Sequence, residues 1–396
     1  MFIQKLRRKI KNRFIKKSLR NIRSGYFFLL NLLGTAIFFV GRLLGVVPRI
    51  EEFSADKVNK ILVTRMDRVG DVVCSLPTVR ALRKKFPGSF IALLVTPYTE
   101  DLVTENKDIN EVIVYNSRWS ILDKIRFVKK LAKNKIDLVA VLDPFFKSAL
   151  IAYLSKARFR IGYPVSGSGF LLTHRVNLRN RYKHEIETCL DVARLIGAEA
   201  EGKRPPLLVS LNAERYTEDF FNQQGILSSD IIISIHLGGY EENTHWPLDR
   251  YAQVADILIS RYRAKVILVG SQMDKKIIED MVSLMSHKPI LTDLNNSLQR
   301  LMAIIKRCDI FLGNCSGPMH IAAALGVPVV VIFGDIHPLG SENKWAPLGP
   351  NCLIVRKAMD CVDCHPGHCR DYKCMKLVTV EDVMSAMETQ IARLNK

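Results

Sequence analysis

Short apolar runs and helix-spaced apolar positions alternate along most of this chain. Lys60-Ile-Leu-Val-Thr-Arg65 is a β-branched run of the kind that forms a buried strand. The turn Met66-Asp-Arg-Val-Gly70-Asp71 follows. Val73, Leu76, Val79, Ala81, Leu82 and Phe86 then recur near helical spacing over residues 72–86, and Pro87-Gly88 ends the helix. Phe90–Val95 reads as the next strand. The unit is βαβ, which predicts a parallel sheet with a right-handed crossover. Further strands are expected at 112–115, 138–142 and 160–162, with helices over 120–133 and 144–155. Such a series describes a doubly wound α/β domain over about residues 57–210.

The alternation resumes after residue 228. Strands are expected at 231–236, 265–270, 309–313 and 327–333, with helices over 251–262, 297–307 and 321–325. This predicts a second α/β domain over about 228–380, closed by a helix in 380–396. Ligands of open α/β sheets bind at the carboxyl ends of the strands, which directs attention to the loops there. In the first domain that loop carries Gly70 and Asp71. A carboxylate at this place can act as a general base on a hydroxyl, and it can equally cap the following helix. Arg65 and Arg68 flank it and could meet an acceptor's phosphates. No G-x-G-x-x-G is present in the loop, so a dinucleotide site is not supported.

In the second domain the turn Asn314-Cys-Ser-Gly-Pro-Met-His320 joins a strand to a helix. Pro318 suits a first helical position, and Ser316 and Gly317 leave backbone N–H groups facing the strand ends. A helix N-terminus with unpaired amides is a natural phosphate site, although an ordinary βα turn has the same look. Upstream lie Leu237-Gly-Gly239 and the polar loop Glu241-Glu-Asn-Thr-His-Trp-Pro247.

Taken together, the 61–83 segment, the His245-Trp-Pro247 loop and Gly313-Asn-Cys-Ser-Gly-Pro-Met-His-Ile-Ala-Ala-Ala-Leu-Gly326 resemble glycosyltransferase family 9, the heptosyltransferase family of lipopolysaccharide assembly, in order and spacing. The resemblance covers about residues 58–390. It implies two Rossmann-like domains facing across a cleft (GT-B type), with a final helix that crosses back to the first domain. It implies inverting transfer of heptose from an ADP-activated donor to a lipid-linked acceptor, with no metal required. On this basis Asp71 is the candidate catalytic base. Gly238, Gly239, Thr244, Trp246, Ser316, Gly317, Pro318, Met319 and His320 are the candidate donor-binding residues, and Arg65 and Arg68 the acceptor-binding ones. Thr244 stands where the family has Lys, and Cys315 where it has Asp. The alternative reading is therefore a member that uses another nucleotide sugar, or only binds nucleotide or glycan. Arg65, Arg68, His236, His245 and His320 are the candidates to replace the missing positive charge.

Composition changes this picture at the two ends. The 48% hydrophobic and 24% charged residues are those of a globular protein rather than a disordered one. The formal net charge is +19, and residues 1–50 hold twelve Lys or Arg and no acid. Within 1–23, Leu6, Ile10, Phe14 and Leu19 recur about every fourth residue among ten basic ones, which predicts a basic amphipathic helix. Residues 26–47 are almost wholly apolar, broken by Asn31 and Arg42, and are about long enough to span a bilayer. No cleavable signal peptide is evident. A spanning helix with a cytosolic N-terminus would place the body away from cytosolic nucleotide sugars. An interfacial anchor on anionic headgroups is the favoured reading, at the cytoplasmic face of a bacterial inner membrane. The apolar block directly after the basic one argues against nucleic acid. Packing of 26–47 on the protein's own core is the remaining option.

Four of the nine cysteines cluster as Cys361, Cys364, Cys369 and Cys374. Four thiolates so close are compatible with a structural zinc site, although only the first pair has the usual two-residue gap. Reduced core cysteines or disulfides are the other readings.

Overall fold

A computed structural model of the chain describes residues 25–45, 50–179, 183–239, 245–334, 341–359, 369 and 372–394. The basic segment 1–23, Thr244, Cys361 and Cys364 lie outside the described residues.

Two six-stranded sheets, with every pair of neighbours parallel, organise these residues. The first contains β1 (Lys60–Thr64), β2 (Phe90–Val95), β3 (Glu111–Val114), β4 (Leu138–Val141), β5 (Phe159–Gly162) and β6 (His174–Arg175), in the order β3-β2-β1-β4-β5-β6. The second contains β7 (Ile232–His236), β8 (Lys265–Leu268), β9 (Ile290–Leu291), β10 (Ile310–Asn314), β11 (Val329–Ile332) and β12 (Cys352–Val355), in the order β12-β11-β10-β7-β8-β9. Each is the doubly wound 3-2-1-4-5-6 order, so each has one point where the winding reverses: between β1 and β4, and between β7 and β10. The central strands are buried along almost their whole length, which is why they read as unbroken apolar runs.

The helices are α1 (Gly25–Leu43), α2 (Val69–Lys85), α3 (Ile121–Lys133), α4 (Phe146–Leu154), α5 (Glu185–Arg194), α6 (Leu211–Gln223), α7 (Leu248–Tyr262), α8 (Lys275–Leu284), α9 (Leu298–Lys306), α10 (Gly317–Leu325), α11 (Glu342–Trp345), α12 (Lys373–Leu377) and α13 (Val380–Ile391). Buried residues of α2, α5 and α10 belong to one apolar core that also holds side chains of both sheets. The two halves therefore meet over an apolar contact rather than across water. The helix α6, in the stretch between the two expected domains, sides with the second sheet. There the Arg300 guanidinium stacks 4.2 Å above the Tyr216 ring, and Lys306 pairs with Glu214 at 2.6 Å.

The closing helix departs from expectation. Instead of crossing back to the first sheet, α13 buries Val383, Met384 and Met387 in the core of the second. Tyr262 Oη donates to Glu388 at 2.7 Å and Gln390 donates to the Asn351 carbonyl at 2.7 Å, so its last turn is tied to the second half.

The apolar N-terminal block folds as one helix, α1, and lies against the first half by a single stripe. Phe27, Leu30, Asn31, Gly34, Phe38 and Arg42 recur at three- and four-residue spacing and are the less exposed positions. Gly34 sits on the Phe170 ring, where no larger side chain would fit, and Phe38 packs edge-on to Phe170 and beside Tyr153. Both polar interruptions lie on this docked stripe. The opposite face is left apolar, with Phe28, Leu29, Leu32, Leu33, Ile37, Phe39 and Leu43 each more than half exposed.

Candidate active site

Arg65 follows β1 immediately and is wholly buried. Its guanidinium donates from Nη1 to the Leu142 carbonyl at the end of β4 (2.5 Å) and from Nε to the Asp71 carbonyl (3.1 Å). Nη2 donates to Asp71 Oδ1 (3.0 Å) and to Glu185 Oε1 (2.7 Å). Asp67 Oδ1 lies 3.1 Å from Nε as an ion pair without a hydrogen-bonding angle. A planar fork with five donors can hold several acceptors in fixed directions, and this one is used in that way. The other oxygen of Glu185 pairs with Lys344 Nζ of α11 at 2.6 Å, and Lys344 also donates to Thr188 Oγ1 at 2.8 Å.

Three carboxylates thus share two cations in a buried space. Burial pushes the Asp71 carboxyl above its ordinary range; the Arg65 charge opposes this, the Glu185 charge adds to it, and Arg68 opposes through its charge and its backbone N–H. Asp67 rises well above its range for the same first reason, again against Arg65. Glu185 moves the other way, because Arg65 and Lys344 together outweigh its own burial. Asp71, the third residue of α2, therefore accepts from the Arg68 backbone N–H and still keeps a strengthened affinity for a proton. Its side chain remains about one-sixth exposed (17%), enough to be reached.

The second half supplies the facing wall. Asn314 ends β10 and cross-links the loops there. Its Nδ2 donates to the Leu237 carbonyl (2.9 Å), and its Oδ1 accepts from Tyr251 Oη (2.9 Å) and the Trp246 backbone N–H (3.3 Å). Ser316 precedes α10 in extended conformation and does not cap it with its side chain; its Oγ lies 3.2 Å from His236 Nδ1. The first turn of α10 thus presents backbone N–H groups that no side chain of the cap occupies. Beside it, Gly238 lies so close to Asp274 that a side chain there would collide with the carboxylate. His236 Nε2 stands 3.9 Å from that same carboxylate, and His245 Nε2 lies 3.1 Å from the Gly239 carbonyl.

The two halves meet at a glycine pair. A Cβ on Gly70 would fall 2.8 Å from His320 Cδ2, and one on Gly317 would fall 2.9 Å from Val69 Cβ. Only residues without side chains allow the N-terminal turns of α2 and α10 to approach this closely. One turn further along, Cys74 Sγ and His320 Nδ1 are 3.7 Å apart. Both winding reversals, and with them Asp71 and the α10 N-terminus, therefore open onto one place.

The expected site residues divide accordingly. Gly70, Asp71, Ser316, Gly317, Pro318 and His320 gather at the junction, with Gly238 and Gly239 at its edge and Arg68 exposed on the rim. Three expectations are corrected. Arg65 is engaged internally on all sides and has no surface to offer an acceptor. Trp246 is buried, with its indole N–H donating to the Val378 carbonyl at 3.0 Å, and the Met319 side chain lies in the core. Any donor contact at these two positions falls to the backbone. His236 and His320 are also unsuited to supplying positive charge. Burial pushes His320 down to about 3, aided by His184 and opposed by Glu185, and lowers His236 against the pull of Asp274. Cys369 and Cys374 are half-buried, and among the described residues no three His, Cys, Asp or Glu side chains could hold a metal ion together.

Glu185, Lys344 and Asp67 were not among the expected site residues. Asp67 carries a local signal, since it lies in the turn that leads into α2 and Asp71. Glu185 and Lys344 come from far along the chain and carry no local pattern.

Comparison with known proteins agrees with this geometry. The family model "Glycosyltransferase family 9 (heptosyltransferase)" matches residues 124–374, well over half of the chain. The chain belongs to glycosyltransferase family 9. Among curated members, it is 26% identical over 310 residues to lipopolysaccharide heptosyltransferase 2 of Salmonella typhimurium, covering 75% of this chain and 88% of that protein. Among solved structures, the family 9 glycosyl transferase of Veillonella parvula superposes with a TM-score of 0.74 at 23% identity, covering 85% of this chain and 98% of the other. The E. coli ADP-heptose lps heptosyltransferase II superposes with 0.71 at 23% identity, covering 84% and 99%. The paired sheets are thus the GT-B fold, and this family 9 chain is a glycosyltransferase.

Proposed function

We propose that this glycosyltransferase moves heptose from ADP-heptose, with inversion, onto a lipopolysaccharide core or another lipid-linked glycan. One observation carries the reading: a carboxylate with raised proton affinity, Asp71, stands where the α10 N-terminus abuts α2. In the proposed reaction Asp71 takes the proton of an acceptor hydroxyl as its oxygen attacks the anomeric carbon. The bond from that carbon to the diphosphate breaks, and the electron pair leaves on the phosphate oxygen. Amides and dipole at the α10 N-terminus stabilise that charge as it develops. Attack opposite the leaving group inverts the anomeric centre. Relatives named for ADP-heptose and for lipopolysaccharide support the choice of donor and acceptor. Thr244 and Cys315, where the family has Lys and Asp, favour keeping a different nucleotide sugar as the second reading.

The test is product detection by mass spectrometry with ADP-, UDP- and GDP-sugars, run in the presence of a chelator. Transfer of heptose from ADP-heptose in chelator is the expected result. Binding with no product from any sugar would replace the enzyme reading by a binding protein, and metal-dependent transfer would overturn the metal-free chemistry. Zinc at Cys361, Cys364, Cys369 and Cys374 remains a proposal about structure alone.

The site of action proposed is the cytoplasmic face of a bacterial inner membrane. Support comes from α1, which is docked on the first half by one stripe and apolar on the other. A helix held flat against its own domain can lie in an interface but cannot cross a bilayer without pulling the domain in. Removing residues 1–44 is expected to abolish sedimentation with phosphatidylglycerol vesicles while leaving the donor-induced thermal shift intact. Sedimentation unchanged by the deletion would exclude the extension as the anchor.

A further inference from the structure

We infer that Lys344 is a positioning residue through which the second half sets the charge state of Asp71. The inference rests on Asp71 being the base. Lys344 belongs to α11, between the last two strands of the second sheet, whereas Glu185 and Asp71 belong to α5 and α2 on the first half. Glu185 divides its two oxygens: Oε1 faces Arg65 at 2.7 Å, and Oε2 faces Lys344 at 2.6 Å across the junction. Arg65 in turn holds Asp71 at 3.0 Å. The chain Lys344–Glu185–Arg65–Asp71 is thus continuous, and Lys344 is its one member from the other half.

Both Lys344 and Glu185 are more than nine-tenths buried. An ion pair taken out of water contributes little net stability, so its presence calls for an explanation other than holding the fold together. The arrangement supplies one. With the halves together, Lys344 neutralises Glu185, and Arg65 is free to favour the ionised form of Asp71. Without the Lys344 charge, Glu185 is left uncompensated beside Arg65 and Asp71, and Asp71 gains affinity for a proton. The donor-side wall thus brings the cation that shifts Asp71 toward its ionised form, at the place where the α10 amides are in position for the leaving group.

The other groups facing this chain do not supply the same link. From the first half, Asp67 adds negative charge beside Arg65, and Arg68 acts on Asp71 from the rim. Cys74 and Cys189 are thiols that burial pushes upward and so keep neutral. From the second half, His320 lies 3.7 Å from Cys74 but is kept uncharged by burial. His184 accompanies Glu185 at the start of α5, and its Nε2 lies 2.9 Å from the Ala346 carbonyl; burial lowers its proton affinity as well. Among the described residues, Lys344 is therefore the cation that enters with the second half.

The experiment follows the titration of the Asp71 carboxyl by carbon-13 NMR in full-length, aspartate-labelled protein, with Asp71→Asn to assign the resonance. Lys344→Met is expected to raise the Asp71 midpoint by about one pH unit, because a nearby cation is lost, and Glu185→Gln to lower it, because an anion is lost. In the double variant the midpoint should match Glu185→Gln alone, since Lys344 acts through Glu185. This variant buries no unpaired charge of the pair, so it guards against a failure of one single variant to fold. Shifts in the same direction, no shift, or a Lys344→Met effect that persists without Glu185 would each overturn the inference. The acidic limb of kcat/KM is read in parallel. Midpoints that move as expected while the rate profile stays put would leave the coupling standing and remove Asp71 as the base.

Discussion

Asp71→Asn is expected to slow sugar transfer by about 10²- to 10⁴-fold, the usual range for loss of a positioned general base, without weakening the fold. Asparagine keeps the shape of the side chain and can still accept from Arg65. It cannot take a proton. The effect on stability follows from the direction of the shift. The folded protein holds the Asp71 proton more tightly than the unfolded chain does, chiefly because of burial. For such a group the favourable contribution is present below the unfolded carboxylate range and is lost as pH rises through the folded value. At neutral pH the ionised side chain costs stability. The variant should therefore melt at or above the wild-type Tm at pH 7, with the difference closing in acid. Turnover and melting curves at several pH values check both halves of this expectation. Retained turnover would remove Asp71 from the chemistry, and a Tm several degrees lower at pH 7 would make it a structural partner of Arg65 first.

Much of this fold is legible in the residues alone. The apolar runs 60–64, 90–95 and 265–268 are strands because a central parallel strand is buried on both faces, and that burial leaves a direct trace in composition. The short edge strands β6 and β9, of two residues each, leave no such trace. Gly70-Asp71 and the 316–320 turn could be found because a βα loop at a strand's carboxyl end is a local feature. What these loops do to one another is not local. Glu185 reaches Arg65 across 120 positions of sequence. Its presence beside Asp71 depends on α5 packing along α2, which no spacing rule foretells. Arg65 illustrates the converse. A basic residue beside a catalytic loop suggests contact with an anionic substrate, but the pattern does not say which way the side chain turns. Here it turns inward, to the end of β4 and three internal carboxylates. Trp246 is similar, since its place in a loop was visible and the carbonyl that receives its N–H was not.

Arg65→Met should have the largest effect on the fold itself, about 3–5 kcal/mol, the range for removing one partner from a buried ion pair. Methionine nearly fills the space, so packing loss contributes little, and the cost is electrostatic. Asp67, Asp71 and Glu185 would remain buried with Lys344 as their one internal cation from the set, and the Leu142 and Asp71 carbonyls would lose a donor. The sign with pH is definite. Without Arg65 the folded proton affinities of all three acids rise, so the native state takes up protons that the unfolded chain releases. Stability then falls as pH climbs from the ordinary carboxylate range through those raised values. The variant should approach the wild type near pH 5 and fall furthest behind it at pH 7–8. Arg65→Lys should sit between the two, because a single ammonium keeps the charge but cannot hold Asp71, Glu185 and the Leu142 carbonyl at once. Chemical denaturation at pH 5 and pH 8 separates this account from the one suggested by the residue's place in the loop. If Arg65→Met denatures like the wild type at both pH values and shows only a raised KM for acceptor, the guanidinium faces substrate after all and the buried network is not what positions Asp71.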